Sequence, residues 1–461
     1  MGLREEKDSM GAVRVPQDAH YGSQTQRAVE NFPASGVAVP RPLLHALARI
    51  KGQAAKANKG LGRLADDLAT AIATAADEVL SGQLDDQFVV DLFQTGSGTS
   101  TNMNMNEVVA SRANEILTGR RGGRSPVHPN DHVNLGQSSN DVIPTALHLA
   151  VLLEIEGRLR PALDALAGRL GELSHRFGDI PKIGRTHLQD AVPMTMGQAF
   201  GGYARQAEAG GERLQAVQPR LCELALGGTA VGTGINTHPD FAVRVIAGLG
   251  ADTGLPLQRA KNGFEAQAAR DAAVETSGAL RTIAASLVKI ANDLRWLASG
   301  PRCGIGELKL PALQPGSSIM PGKVNPVIPE AVIQIGYQVM GNDTAVMLAG
   351  QAGNFELNVT LPLLAHNLLE SIRLLGLAAR QLTDRCLHRI EVDEIATRGY
   401  IENSLALVTG FVPHLGYDKA AELAKEAYAS GRTVRAVVRE SGLLEEAVIS
   451  QVLGPPPPDD P

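Results

Sequence analysis

Between positions 317 and 325 the chain presents two hydroxyls, an ammonium and an amide: Ser317, Ser318, Lys323 and Asn325. Pro315, Gly316, Pro321, Gly322 and Pro326 punctuate the stretch, so it reads as a loop. Glycines there can expose backbone N–H groups to an anion or oxyanion. Lys323 can neutralise a carboxylate, and Asn325 can hydrogen-bond to it. Met320 and Pro321 are expected to keep Lys323 from full exposure. These groups suit removal of a proton from a carbon beside a carboxylate, where charge develops only on the way to the transition state. Ser317 is a base only if its own oxyanion is stabilised, and N–H groups beside Gly316 and Gly322 are the candidates. A lone Gly-Ser-Ser would equally suit a flexible loop.

Other Gly-, Ser-, Asn- and Pro-rich loops fall at 95–101, 126–140 and 227–239. The first holds Ser97 and Thr99. Ser138, Ser139 and Asn140 end the second, where the serines could instead cap the helix that follows. Thr186 and His187 sit in Gly184-Arg185-Thr186-His187-Leu188-Gln189-Asp190. A histidine near neutral pKa is a suitable general acid or base, although an isolated one is more often structural. Val127-His128-Pro129-Asn130-Asp131 is turn-prone. Cys222, Cys303 and Cys386 have no CxxC or other tight spacing, so neither a disulfide framework, a zinc site nor an iron–sulfur cluster is indicated.

The elements that position these loops read as helices. Leu280, Ile283, Leu287, Ile290, Leu294 and Leu297 alternate by three and four, one stripe of an α-helix. The segment 264–299, as one helix, would be about 50 Å long at about 1.5 Å per residue. Several shorter helices are the alternative. Leu152, Ile155, Leu159, Leu163, Leu166, Leu170 and Leu173 form a second stripe. A third runs Leu361, Leu364, Leu368, Ile372, Leu375, Ala379 and Leu382. Aromatic residues are only 3% of the 461, which suits aliphatic helix-on-helix packing. Long helices with such seams point to a bundle shared between subunits. The fold class is therefore all-α, a central bundle of long helices flanked by N- and C-terminal helical domains. Candidate divisions are 1–137, 138–392 and 393–461, the last with a disordered Pro-rich tail.

Net charge is −6, with no basic footprint for nucleic acid or an anionic membrane. No apolar run is long enough for a membrane span, and the N-terminus shows no secretory h-region. A cytoplasmic location is the default.

The full stretch from Pro315 to Pro326 resembles the signature loop of the fumarase/aspartase superfamily. The 95–99 and 102–107 segments, Gly136–Asp141, Gly184–Asp190, Leu226–Gly234, Ser299–Gly304 and the opening 8–27 resemble its metal-independent, class II fumarase branch. The resemblance covers nearly the whole chain apart from the tail. It implies reversible anti addition of water to fumarate, giving L-malate through an aci-carboxylate carbanion, with no cofactor and no metal. Ser317 matches the proton-abstracting serine, and His187 and Glu330 a pair that handles the catalytic water. Ser97, Thr99, Ser138, Ser139, Asn140, Thr186, Lys323 and Asn325 match substrate-binding positions. His128, Asn130 and Asp131 match a secondary anion site, but Ser125 stands where the family often has an arginine, with Arg124 adjacent; an ordinary turn is the alternative. The family implies a homotetramer with sites shared between subunits and small dicarboxylate partners. Rival readings are an aspartate ammonia-lyase, an argininosuccinate- or adenylosuccinate-type lyase, and an inactive structural protein on the same scaffold.

Overall fold

Residues whose side chains alternate by three and four form the long helices of the computed structural model, which describes residues 2–32 and 35–454. The expected disordered tail lies, from residue 455, outside the described residues. The longest helices are Met196–Leu221, Asp271–Leu297, Val327–Gly350 and Leu361–Gln381. Along Asp271–Leu297, Leu280, Ile283, Leu287, Ile290 and Leu294 are all buried, while Trp296 is half exposed. Burying such a side chain stabilises by about 1.5–3 kcal/mol, so the stripe outweighs the helix's indifferent Gly, Thr and Ser positions.

The single helix over 264–299 is not what forms. A short helix Gly263–Ala268 ends at Ala269, whose backbone is extended, and the long helix starts at Asp271. Arg270 at the break is buried and donates back to the Ala266 carbonyl. The first leucine stripe also spans three elements: Ser139–Glu154, a π-helical turn Ile155–Leu159, and Arg160–Arg176. The +4 steps from Ile155 to Leu159 to Leu163 keep all three buried through the wider turn.

The helices fall into two compact units, each drawn from three stretches of chain. The first comprises 1–161, 210–284 and 335–376. In it, Arg41–Gly60 packs on Asp66–Leu80, Ser139–Glu154 and Phe241–Thr253, and Thr99–Thr118 packs on Asp66–Leu80. The second comprises 162–209, 285–334 and 377–461. There the Glu394–Asn403 helix packs on a hairpin of Pro181–Thr186 and Gln189–Thr195. Leu407, Phe411, Leu423, Val437, Val438 and Ile449 form a C-terminal core.

The strands, among the described residues, form only two-stranded sheets. One pairs Leu3–Asp8 with Gly11–Pro16, burying Val13 and Val15 while Arg14 faces out. That alternation is too short to be read without its partner strand.

His148, inside Ser139–Glu154, is a largely buried titratable group with a clear consequence. Its Nδ1 lies 3.1 Å from the carbonyls of Leu221 and Glu223. Burial, with Arg270 adding to it, pushes its pKa from 6.5 down to about 4. The folded state thus holds the neutral ring, whereas the unfolded chain takes up a proton below 6.5. Stability from this group is complete above pH 6.5 and drains away as pH falls toward 4, by about 3 kcal/mol. Denaturant titrations from pH 7 to pH 4 should show this slope, and His148→Gln should flatten it.

Candidate active site

In the second unit, the loop from 314 to 326 folds around its own backbone. Gly316 N–H donates to the Lys323 carbonyl at 2.7 Å, and Asn325 Nδ2 donates to the Gly316 carbonyl at 2.8 Å. A Cβ at Gly316 would stand 2.7 Å from the Lys323 carbonyl oxygen and 2.8 Å from the Asn325 nitrogen, so no other residue fits there. Inside this closed base, Ser317 Oγ accepts the N–H of Ile319 at 3.2 Å and of Met320 at 3.0 Å. The donors are therefore these two amides, not those beside Gly316 and Gly322 as expected from glycine placement. Gly316 N–H is consumed in closing the loop. Lys323 is exposed, contrary to expectation, because Met320 and Pro321 are exposed with it and give no cover.

His187 occupies the tip of the hairpin in the same unit, in left-handed backbone (φ 56°), as does Leu188 (φ 60°). Thr186 and His187 are exposed. Beneath the tip, Arg185 Nη2 donates to Glu307 Oε1 at 2.8 Å, and its guanidinium lies 5.4 Å from the Tyr400 ring centroid. Lys182 Nζ is 3.8 Å from Glu307 Oε2, and Glu307 is fully buried. Burial lowers the Lys182 pKa, with Glu307 opposing the shift. Glu330 lies in the first turn of Val327–Gly350. Among the described residues no ion pair or hydrogen bond joins His187 to Glu330.

The first unit brings Ser97, Thr99 and Ser139 together. Ser97 Oγ is 2.8 Å from Thr99 Oγ1, which is 2.7 Å from Ser139 Oγ. Thr99 opens the Thr99–Thr118 helix and Ser139 opens Ser139–Glu154, so two helix N-termini meet at these hydroxyls. Such termini favour negative charge. Gly98 permits the approach: a Cβ there, in left-handed backbone (φ 73°), would stand 2.9 Å from Ile143 Cγ2 on the second helix. Ser138 does cap its helix, accepting Asn140 N–H at 3.2 Å, while Asp141 accepts Ser138 N–H at 2.9 Å. Ser139 does not cap. Asn140 Nδ2 donates to the Ala230 carbonyl at 2.8 Å. His128 Nδ1 accepts the N–H groups of Asn130 and Asp131 at 3.2 and 3.1 Å. The ring thus caps a π-helical turn Pro129–Val133 and takes up the Asn130 and Asp131 amides itself. Burial lowers the His128 pKa, with Asp131 opposing.

Several buried groups behind these loops escaped sequence reasoning. Asp141 accepts from Ser138, Gly227 and Thr229 N–H, tying the 136–141 loop to 226–234. Burial raises its carboxyl to about 6. Lys51 is fully buried, and burial lowers its ammonium to about 7 against the pull of Asp141. A signal existed: Leu44, Leu47, Lys51, Ala54 and Asn58 share one helical stripe, so Lys51 and Asn58 are polar residues on an apolar face. Glu307 had no comparable signal, because its partners are distant in sequence.

Residues 11–341 match the family model described as Lyase, and residues 407–456 match that of the Fumarase C C-terminus. The chain is 56% identical to the class II fumarate hydratase of Nitrosomonas europaea, covering 92% of each chain. It is 53% identical to that of Thermosynechococcus vestitus, over 96% of this chain and 94% of the relative. The crystal structure of class II fumarase from Schistosoma mansoni superposes with a TM-score of 0.95 at 41% identity, covering 98% of both chains. The fold and these loops are those of a lyase. The chain belongs to the class II fumarate hydratase family. Among the described residues no helix is long and apolar enough to cross a membrane, and no group of three or more His, Cys, Asp or Glu is placed to hold a metal ion.

Proposed function

We propose that this chain is a hydro-lyase that interconverts fumarate and L-malate, the hydration step of the tricarboxylic acid cycle. The observation that carries the reading is the pair of N–H groups, from Ile319 and Met320, directed at Ser317 Oγ. Two amide donors stabilise a serine oxyanion without a charged base beside it. In the malate-to-fumarate direction, Ser317 takes the C3 proton. The electron pair moves into the adjacent carboxylate as an aci-carboxylate, held by Lys323 and Asn325. The C2–O bond then breaks, and a proton delivered through His187, partnered by Glu330, leaves with hydroxide as water. Ser97, Thr99, Ser138, Ser139, Asn140 and Thr186 hold the other carboxylate and the hydroxyl. Hydration runs through the same steps in reverse.

His187 and Glu330 are not paired within one chain. This supports sites completed by neighbouring subunits of a homotetramer. The Val327–Gly350 helix supports it too, since Tyr337, Met347 and Leu348 are 59%, 51% and 52% exposed in the single chain. The division into 1–137, 138–392 and 393–461 and a cytoplasmic location belong to the same reading. So does a secondary anion site at His128, Asn130 and Asp131, formed only if the His128 ring leaves its capping position.

The discriminating assay follows the ultraviolet absorbance of the fumarate double bond in ammonium-free buffer with a chelator present. Absorbance should fall as malate forms. An aspartase adds ammonia rather than water across the double bond, so it would consume fumarate only when ammonium is added and would yield L-aspartate. That outcome, or loss of activity to the chelator, would overturn the reading.

A further inference from the structure

Lys51 lies in the Arg41–Gly60 helix with no exposed surface. Its Nζ donates to Asn134 Oδ1 and to Gln137 Oε1, both at 2.9 Å. The other ends of these two amides grip the loop backbone. Asn134 Nδ2 donates to the Gln137 carbonyl at 3.1 Å, and Gln137 Nε2 donates to the Val133 carbonyl at 3.0 Å. Asn58, two turns further along the same helix, donates to the Leu135 carbonyl at 3.1 Å. Asn134 Oδ1 also accepts from Asn102 Nδ2 at 3.2 Å, in the first turn of the Thr99–Thr118 helix. One buried nitrogen therefore ties together the helix that starts at Thr99 and the loop that delivers Ser138, Ser139 and Asn140.

The arrangement has a physical logic. Two amide oxygens turned toward one interior point need a donor-rich group between them, and leaving either unpaired costs about 1–3 kcal/mol. Amide side chains held at both ends cannot flip, so the backbone from 133 to 137 is held on both sides. Ser139 then meets Thr99 at 2.7 Å because both supporting segments are referred to the same nitrogen. A long, entropically costly side chain is fully buried here, although none of its atoms reaches the hydroxyl cluster.

We propose that Lys51 is a positioning residue for the dicarboxylate-binding loop, acting through Asn134 and Gln137 to hold Ser139 and Asn140 in register with Thr99. The proposal rests on the reading of 138–140 as substrate-binding.

The test is steady-state kinetics on the assembled enzyme with fumarate and with L-malate, together with thermal denaturation. The variants are Lys51→Met, Gln137→Met and their double, with Ser139→Ala and Asn140→Ala run alongside. Lys51→Met should raise KM about 10- to 100-fold, with a smaller fall in kcat, because a displaced loop weakens the contacts that Ser139 and Asn140 make to the substrate. Gln137→Met should raise KM in the same direction, and the double should be no worse than the larger single, since both remove one hub. A lower melting temperature with unchanged KM would mean that Lys51 serves stability alone and would overturn the proposal. So would strictly additive effects. If Lys51→Met does not fold, Gln137→Met at its half-buried position decides by the same KM criterion. Should Ser139→Ala and Asn140→Ala leave KM unchanged, the substrate reading of the loop fails. Should they raise KM while the Gln137 and Lys51 variants do not, that reading stands and only the positioning role falls.

Discussion

Ser317→Ala is expected to lower turnover by about 10²–10⁴, the range for loss of a general acid–base group, while leaving the fold intact. The loop does not depend on this hydroxyl for its shape. Its base is closed by Gly316 N–H to the Lys323 carbonyl and by Asn325 Nδ2 to the Gly316 carbonyl, and neither bond involves Ser317. The two amides that lose their acceptor, those of Ile319 and Met320, belong to exposed residues and can turn to water. KM should change far less than kcat, because the proposed carboxylate ligands Lys323 and Asn325 remain. Circular dichroism and gel filtration check the fold, and progress curves with saturating fumarate check the rate. Turnover near that of the wild type in a correctly assembled variant would remove Ser317 from the base role.

The second large effect is on stability. Glu307→Ala should destabilise the second unit by about 3–5 kcal/mol, the cost of leaving a buried ion-pair partner uncompensated. Glu307 is fully buried and faces two cations, Arg185 at 2.8 Å and Lys182 at 3.8 Å, whose own side chains are 16% and 6% exposed. Removing the carboxylate leaves both charges in a poorly hydrated place. Glu307→Gln keeps a neutral acceptor for Arg185 and should lose less. The same change should reach activity, because Arg185 anchors the hairpin whose tip holds His187 in left-handed backbone. Chemical denaturation checks the first effect and kcat the second. A Glu307→Ala protein with wild-type stability would show that Arg185 and Lys182 find other partners or shed their charge.

Local order decided how much could be read in advance. The Leu280–Leu297 stripe was legible because helix periodicity is a property of neighbours in sequence, and burial of that stripe follows from it. The Pro315–Pro326 loop was legible for the same reason: its turn residues and its chemistry are contiguous. The break at Ala269 was not, since no Pro or Gly stands between Phe264 and Ala272 to mark it and the stripe itself starts only at Leu280. The N-terminal hairpin was missed because each strand is short and its alternation acquires meaning only against its partner.

Among the candidate site residues, Ser317, Lys323, Asn325 and His187 stood out through the resemblance of whole contiguous motifs, since residue type alone left a flexible loop or a structural histidine equally open. Which backbone amides face Ser317 Oγ was a matter of the loop's path, and the choice passed from the glycines to Ile319 and Met320 because Gly316 N–H closes the loop. Sequence placed Ser97, Thr99 and Ser139 on two separate loops. The approach of Thr99 to Ser139, 2.7 Å between hydroxyls, was decided by two helix N-termini converging, a long-range event that no local pattern encodes. The same holds for Lys51 and Glu307. A sequence shows that a charge sits on an apolar stripe or in a loop, but only the folded chain supplies the distant partners that make its burial affordable.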